Sequence, residues 1–351
     1  MQIRKRLIWL IIGFMMTASS LAATRCSSGP AIEKAHDGDA GNAAVDKAHE
    51  DDAEGAPEML ALPDLGPADL AGERLRVVAT TSIIGDVVAQ VGGDAVDLTT
   101  LMGPGQDPHS YEPAARDLTA VAGANVIFVN GWDLEEALIS NLESIAGDTP
   151  IVPISANIRP LVFGENEASH SHGADPHVWF SIPNVEQWVE NVRQVFSKLD
   201  PANAQVYGDQ AASYQMDLEG LQSYTESALS RIPQEKRFIV TNHNSFGYFA
   251  KEYGFEIVGT VIPAVSTLAE PSAKELADLS AAMAKYGLCT IFTETAVSDT
   301  LAQTVASELQ ACDSVNVVPL YTGATGPAGS GADSYTGMFR ANVDAIVGAL
   351  E

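Results

Sequence analysis

The chain reads as an α/β protein of two lobes, each a mostly parallel sheet flanked by helices, joined by one long rigid helix. Short apolar runs of strand length alternate with helix-length segments, and this alternation occurs twice, over residues 75–200 and 236–351. Between the two series, Asn203 to Ser230 has no internal proline and glycine only at Gly208 and Gly220. That segment predicts a helix of about 40 Å at about 1.5 Å per residue, within a linking region of residues 201–235.

In the first series Leu75–Thr80 is a strand and Ile83–Val91 a helix, and then comes the strand Val96–Leu101, which ends in the turn Gly103-Pro104-Gly105. A helix near Ala114–Ala122, the strand Val126–Val129, the helix Leu134–Ala146 and the short strand Ile151–Ile154 come next. A helix around Val185–Leu199 leads into the long one. The second series runs through the strand Phe238–Val240, the helix Gly247–Tyr253, the strand Ile257–Val261 and the helix Ala273–Lys285. It closes with the strand Leu288–Thr293, the helix Ser298–Leu309, the strand Val315–Leu320 and a helix from Tyr335 to Leu350.

Residues 1–26 have the order of an export signal: Arg4, Lys5 and Arg6, an apolar run from Leu7 to Met16, then small residues. The apolar run is short for a membrane span. Cys26 is a candidate for lipid modification as a mature N-terminus. Arg25 stands where such signals usually carry Gly, Ala or Ser, and Ser20-Leu21-Ala22 offers ordinary signal peptidase an alternative, so both cleavage modes are open. The expected location is outside the cytoplasmic membrane, periplasmic or lipid-anchored at its outer face. Residues 27–74, rich in Ala, Gly, Pro, Asp and Glu, read as a disordered acidic linker whose His36 and His49 are solvated.

A formal net charge of −27 and a pI near 4.4 exclude nucleic acid as a partner, because neutralising phosphate needs a basic face. The same charge attracts cations. Cys289 lies at the start of one predicted strand and Cys312 just before the next, with one helix between, so a parallel strand-helix-strand unit places them at one sheet edge within disulfide reach.

Four peptides, far apart in the chain, each present one strong metal-binding side chain: Asp107-Pro108-His109-Ser110, Asp175-Pro176-His177-Val178-Trp179, Thr241-Asn242-His243-Asn244 and Gly331-Ala332-Asp333-Ser334. Imidazole nitrogen and carboxylate oxygen suit zinc, and less strongly manganese, and four such donors fill a tetrahedral shell. A filled shell points to binding rather than catalysis. His109 and His177 come from the first half and His243 and Asp333 from the second, which places the ion in the crevice at the carboxyl ends of the strands.

From Leu75 onward the chain resembles the solute-binding proteins of bacterial zinc and manganese ABC transporters, the cluster A-I metal receptors. The resemblance rests on Asp107-Pro-His-Ser-Tyr-Glu-Pro113, Asp175-Pro-His-Val-Trp-Phe180, Thr241-Asn-His-Asn-Ser-Phe-Gly-Tyr-Phe249, Phe292-Thr-Glu-Thr295 and Asp333-Ser-Tyr335, all in the family's order. It implies the two-lobed fold with a rigid linking helix, a metal held by His109, His177, His243 and Asp333, and Glu294 close by as a supporting or alternative ligand. It also implies a monomer that hands its ion to an ABC permease driven by a separate ATPase. This chain carries no Gly-x-x-x-x-Gly-Lys-Ser/Thr loop of its own. Members dedicated to manganese tend to have glutamate at the position of His243, so histidine there favours Zn2+ over Mn2+ as the transported ion. The segment Glu165–Gly173, with His170 and His172, is similar to the His-rich loop of zinc receptors but much shorter, and reads equally as a polar surface loop.

A surface adhesin retaining the fold is an alternative of another class, since fold alone does not fix function. A secreted zinc hydrolase is disfavoured by the lack of a His-Glu-x-x-His helix.

Overall fold

The computed structural model describes residues 57–162 and 173–351. The export signal, Cys26, His36, His49, His170 and His172 lie outside the described residues. Two four-stranded sheets, all parallel, have the same strand order. In the first, β1 (Leu75–Ala79) lies between β2 (Val96–Thr100) and β3 (Val126–Val129), and β4 (Ile151–Pro153) is outermost. In the second, β5 (Phe238–His243) lies between β6 (Glu256–Ile262) and β7 (Thr290–Glu294), with β8 (Asn316–Leu320) beyond. The central strand β3, Val-Ile-Phe-Val, is buried at every residue, as a strand covered on both faces must be, whereas the edge strand β2 alternates buried and more exposed positions.

The covering helices are α1 (Ser82–Gly92), α2 (Ala115–Gly123), α3 (Ile139–Ala146) and α4 (Ile182–Leu199) on the first lobe. On the second they are α6 (Gly247–Tyr253), α7 (Ala273–Tyr286), α8 (Thr300–Glu308) and α9 (Tyr335–Leu350). Between them α5 (Ala204–Leu229) has 26 residues, about 39 Å at the standard rise. Its buried residues Tyr207, Ala211, Tyr214, Leu218, Leu221, Thr225 and Ala228 recur at alternating spacings of four and three, the stripe that lets a helix pack along its whole length. That stripe meets α1 and α4 of the first lobe and α9 of the second. One helix is thus shared by both cores, as expected of a strut. The linking region of residues 201–235 is helical throughout only over α5; short turns at Pro201–Asn203 and Gln234–Lys236 flank it.

Two expectations need correction. The linker is not disordered up to residue 74: from residue 57 it lies extended against the first lobe, with Leu62, Leu65, Ala68 and Leu70 packed on the main core. Ala68 N–H donates to Leu199 O at 2.8 Å, and Asn157 N–H to Leu60 O at 2.8 Å. Leucines spaced between prolines supply enough apolar contact to offset the ordering entropy that the acidic composition suggested would prevail. The helix expected from Leu134 begins only at Ile139. Trp132 and Asp133 take positive φ angles of 49° and 56°, and the Glu135 carboxylate accepts the Asn130 N–H at 2.7 Å, so the chain there is bound into turns.

Cys289 and Cys312 are disulfide-bonded, with Cα atoms 5.8 Å apart, at the sheet edge away from the strands' carboxyl ends. A loop of this size, 23 residues in separation, restricts the unfolded chain by about 3 kcal/mol. Cys289→Ser with Cys312→Ser should therefore lower unfolding free energy by roughly that amount in a denaturant titration.

Candidate metal centre

His109 and His177 are reached by the same local device. Asp-Pro-His places a carboxylate two residues before each histidine, and it accepts that histidine's backbone N–H: Asp107 Oδ1 at 3.1 Å from His109 N, Asp175 Oδ1 at 2.9 Å from His177 N. Proline in the middle fixes φ and removes a competing donor, so each turn is rigid. Tyr111 ties the first turn down by donating to Asp117 Oδ2 at 2.8 Å, in the first turn of α2. His243 is the last residue of β5, and Glu294 the last of β7.

The three imidazoles converge. His177 Nε2 is 3.4 Å from His109 Nε2 and 3.1 Å from His243 Nε2, and one ligand nitrogen from each ring lies within 4.8 Å of the others. Two donors about 2.05 Å from a tetrahedral zinc stand about 3.3 Å apart, so this spacing fits one ion. All three side chains are nearly sealed from solvent, at 2–3% exposure.

Each ring is aimed from behind by a different carboxylate. His109 Nδ1 meets Glu136 Oε1 at 3.2 Å, His177 Nδ1 meets Asp175 Oδ1 at 2.9 Å, and His243 Nδ1 bonds Glu294 Oε1. Carboxylates on Nδ1 fix the tautomer that leaves Nε2 bare. Three lone pairs then face one another in a buried space, an arrangement that a cation relieves. Glu294 is itself held by Thr322 Oγ1 and by Asn242 Nδ2, the latter at 3.2 Å. Burial would raise its carboxyl, but the interaction with the His243 imidazole and these hydrogen bonds outweigh it and hold the pKa below the usual value. Glu294 therefore stands behind His243 rather than among the converging donors.

Asp333 is not among them either. It is exposed, and its Oδ2 accepts the Gly329 N–H at 2.8 Å, within the loop before α9. The neighbouring Ser334 caps α9 by accepting from Gly337 N. The donors grouped among the described residues are thus three imidazoles, not three imidazoles and a carboxylate. Of the supporting residues, Glu136 and Thr322 were invisible to sequence reasoning; Asp107 and Asp175 were signalled by the repeated Asp-Pro-His.

The lobes meet around this group. Trp179 Nε1 donates to Thr322 O at 2.8 Å, Tyr335 Oη to Trp179 O at 2.8 Å, and Tyr248 Oη to Asp175 O at 2.9 Å. Gly323 lies against Pro108, where an added Cβ would stand 2.6 Å from Pro108 Cδ, so the absence of a side chain lets the His109 turn close on the second lobe.

Burial first, then the repulsion that protonated neighbouring rings would exert, lowers the pKa of His109, and the same two causes lower that of His177 much further. Both rings are therefore neutral at neutral pH, as ligands must be. In the unfolded chain the same rings take up protons near pH 6.5. Below that pH the unfolded state binds more protons at these two positions than the folded one, so their contribution to the stability of the metal-free protein falls on acidification, opposed by the Asp175 carboxyl, whose pKa burial raises. Each ring contributes up to about 1.4 kcal/mol per pH unit. Thermal melts of metal-free protein between pH 7.5 and 5.5 should show this loss, with a shallower slope for His177→Gln.

A family model described as ZnuA, zinc-uptake complex component A, periplasmic, matches residues 77–349. The manganese-binding lipoprotein MntA of Halalkalibacterium halodurans is 34% identical over 280 residues, covering 80% of this chain and 89% of that protein. The zinc-binding protein TroA of Treponema pallidum is 33% identical over 288 residues, covering 81% and 92%. The solved structure of TroA superposes with a TM-score of 0.71 at 31% identity, covering 79% of this chain and 99% of that one. With two matching sheets, a shared strut and a buried cluster of three histidines between the lobes, the chain belongs to the metal-binding substrate receptors of ABC transporters, the cluster A-I family of ZnuA, TroA, PsaA and MntA, which are not enzymes.

Proposed function

We propose that this protein captures zinc outside the cytoplasmic membrane and delivers it to an ABC permease whose ATPase is a separate chain. The observation that supports zinc is the donor set: among the described residues, the Nε2 atoms of His109, His177 and His243 converge with no carboxylate oxygen in the group. Imidazole suits zinc, whereas manganese prefers oxygen-rich shells. Manganese is the second reading, favoured by the name of the MntA relative. The fourth position of the tetrahedron is filled by water or another small donor, so Asp333→Ala should leave zinc affinity within about twofold by competition titration. A tenfold loss would return Asp333 to the ligand shell.

The non-enzymatic character rests on the family. A lipid on Cys26 would hold the receptor at the membrane. Deleting the gene should slow growth only when zinc is chelated, with recovery on added zinc; normal growth under chelation, in a strain without a second zinc importer, would remove this reading. Because α5 belongs to both cores, scattering from metal-free and metal-loaded protein should give nearly the same radius of gyration.

A further inference from the structure

The segment at residues 57–71 lies outside the part of the chain matched by the family model, and it packs on turns next to the metal centre. Leu60 Cδ1 lies against Gly131, only 2.5 Å from where a Cβ would stand, and Gly131 has a φ of 99°. Gly131, Trp132 and Asp133 form three successive positive-φ residues, a conformation that L side chains adopt reluctantly and that the surroundings must hold in place. Leu60 O also accepts the N–H of Asn157, which has a φ of 64°. The segment thus clamps two strained turns at the carboxyl ends of β3 and β4.

Residues on either side of the first of those turns support two of the three histidines. Asn130 Nδ2 donates to Pro176 O at 2.9 Å, the residue before His177. Glu136 Oε1 sits 3.2 Å from His109 Nδ1, and its side chain is 40% exposed, against 1% for Asp175 and 4% for Glu294. A buried carboxylate is held by its surroundings; a half-exposed one stays on the imidazole only if the backbone beneath it is fixed. We infer that the strap at residues 57–71 is a working part of the metal centre: Leu60 locks the turn at residues 131–133, the turn positions Glu136, and Glu136 aims His109 at the ion. Leu60 and Glu136 are positioning residues, since neither touches the ion.

This inference rests on the metal-site reading, and the test separates the two. The probe is zinc alone, titrated into metal-free full-length protein against a chromophoric chelator, with nitrogen NMR of the histidine rings as a second readout. Leu60→Ala and Glu136→Ala should each weaken zinc binding about tenfold, and their combination no more than either alone, because they act through one ring. Glu136→Gln, whose amide oxygen still accepts from Nδ1–H, should recover most of the loss. Only the His109 signals should show mixed tautomers. Leu65→Ala, farther along the same strap, should lower the melting temperature and leave affinity unchanged. Wild-type affinity in both Leu60→Ala and Glu136→Ala, or equal loss in Leu65→Ala, overturns the positioning role while leaving the metal site intact. No saturable zinc binding by the unaltered protein removes both.

Discussion

Replacing His177 and His243 together by alanine abolishes divalent-metal binding. His177 Nε2 is the central donor, within 3.1–3.4 Å of the other two, and His243 is the second lobe's member of the group. With both gone, His109 alone remains, and one imidazole binds an ion no better than a surface histidine. Calorimetry of the double variant should show no saturable heat. The change also leaves the carboxylates of Asp175 and Glu294 buried without their imidazole donors, which costs several kcal/mol of stability unless they protonate. His177→Gln with His243→Gln keeps more of those hydrogen bonds and distinguishes lost binding from lost folding.

The second large effect concerns ion choice. His243→Glu should shift the ratio of dissociation constants toward manganese by roughly tenfold or more, because an oxygen donor replaces a nitrogen one. The substitution would bring a carboxylate up against Glu294, which now bonds His243 Nδ1, and two carboxylates in a buried site cannot both ionise cheaply. Glu294→Gln in the same chain removes that conflict. If the ratio is unchanged or moves toward zinc in this combined variant, donor softness does not set selectivity here.

Much of the fold was legible because its strands are covered on both faces. Val126–Val129 coincides with β3 residue for residue because it is an apolar run of strand length, and Gly247–Tyr253 with α6, which Gly254 closes in the left-handed conformation. The histidines were legible for a different reason: Asp-Pro-His carries its own turn, so local sequence already places the imidazole. What sequence did not show was long-range. Glu136 lies 27 residues from His109, and nothing local distinguishes it from Glu135, whose carboxylate instead holds Thr80 and Asn130. The strap at residues 57–71 was hidden by its acidic, proline-rich composition, because its leucines match the contours of a folded lobe rather than any period. Asp333 joined the histidines on sequence grounds because its peptide matches the family motif Asp333-Ser-Tyr335; among the described residues it is exposed and accepts the Gly329 N–H.

X-ray absorption at the zinc edge of the stoichiometrically loaded protein tests the central claim most directly. One zinc held by His109, His177 and His243 predicts three imidazole nitrogens at about 2.0 Å, with their outer-ring scattering, plus one light donor. His109→Ala, His177→Ala and His243→Ala should each reduce the imidazole count to two in any ion that remains bound. Two or fewer imidazoles in the unaltered protein, or a spectrum indifferent to these substitutions, would show that the ion binds elsewhere.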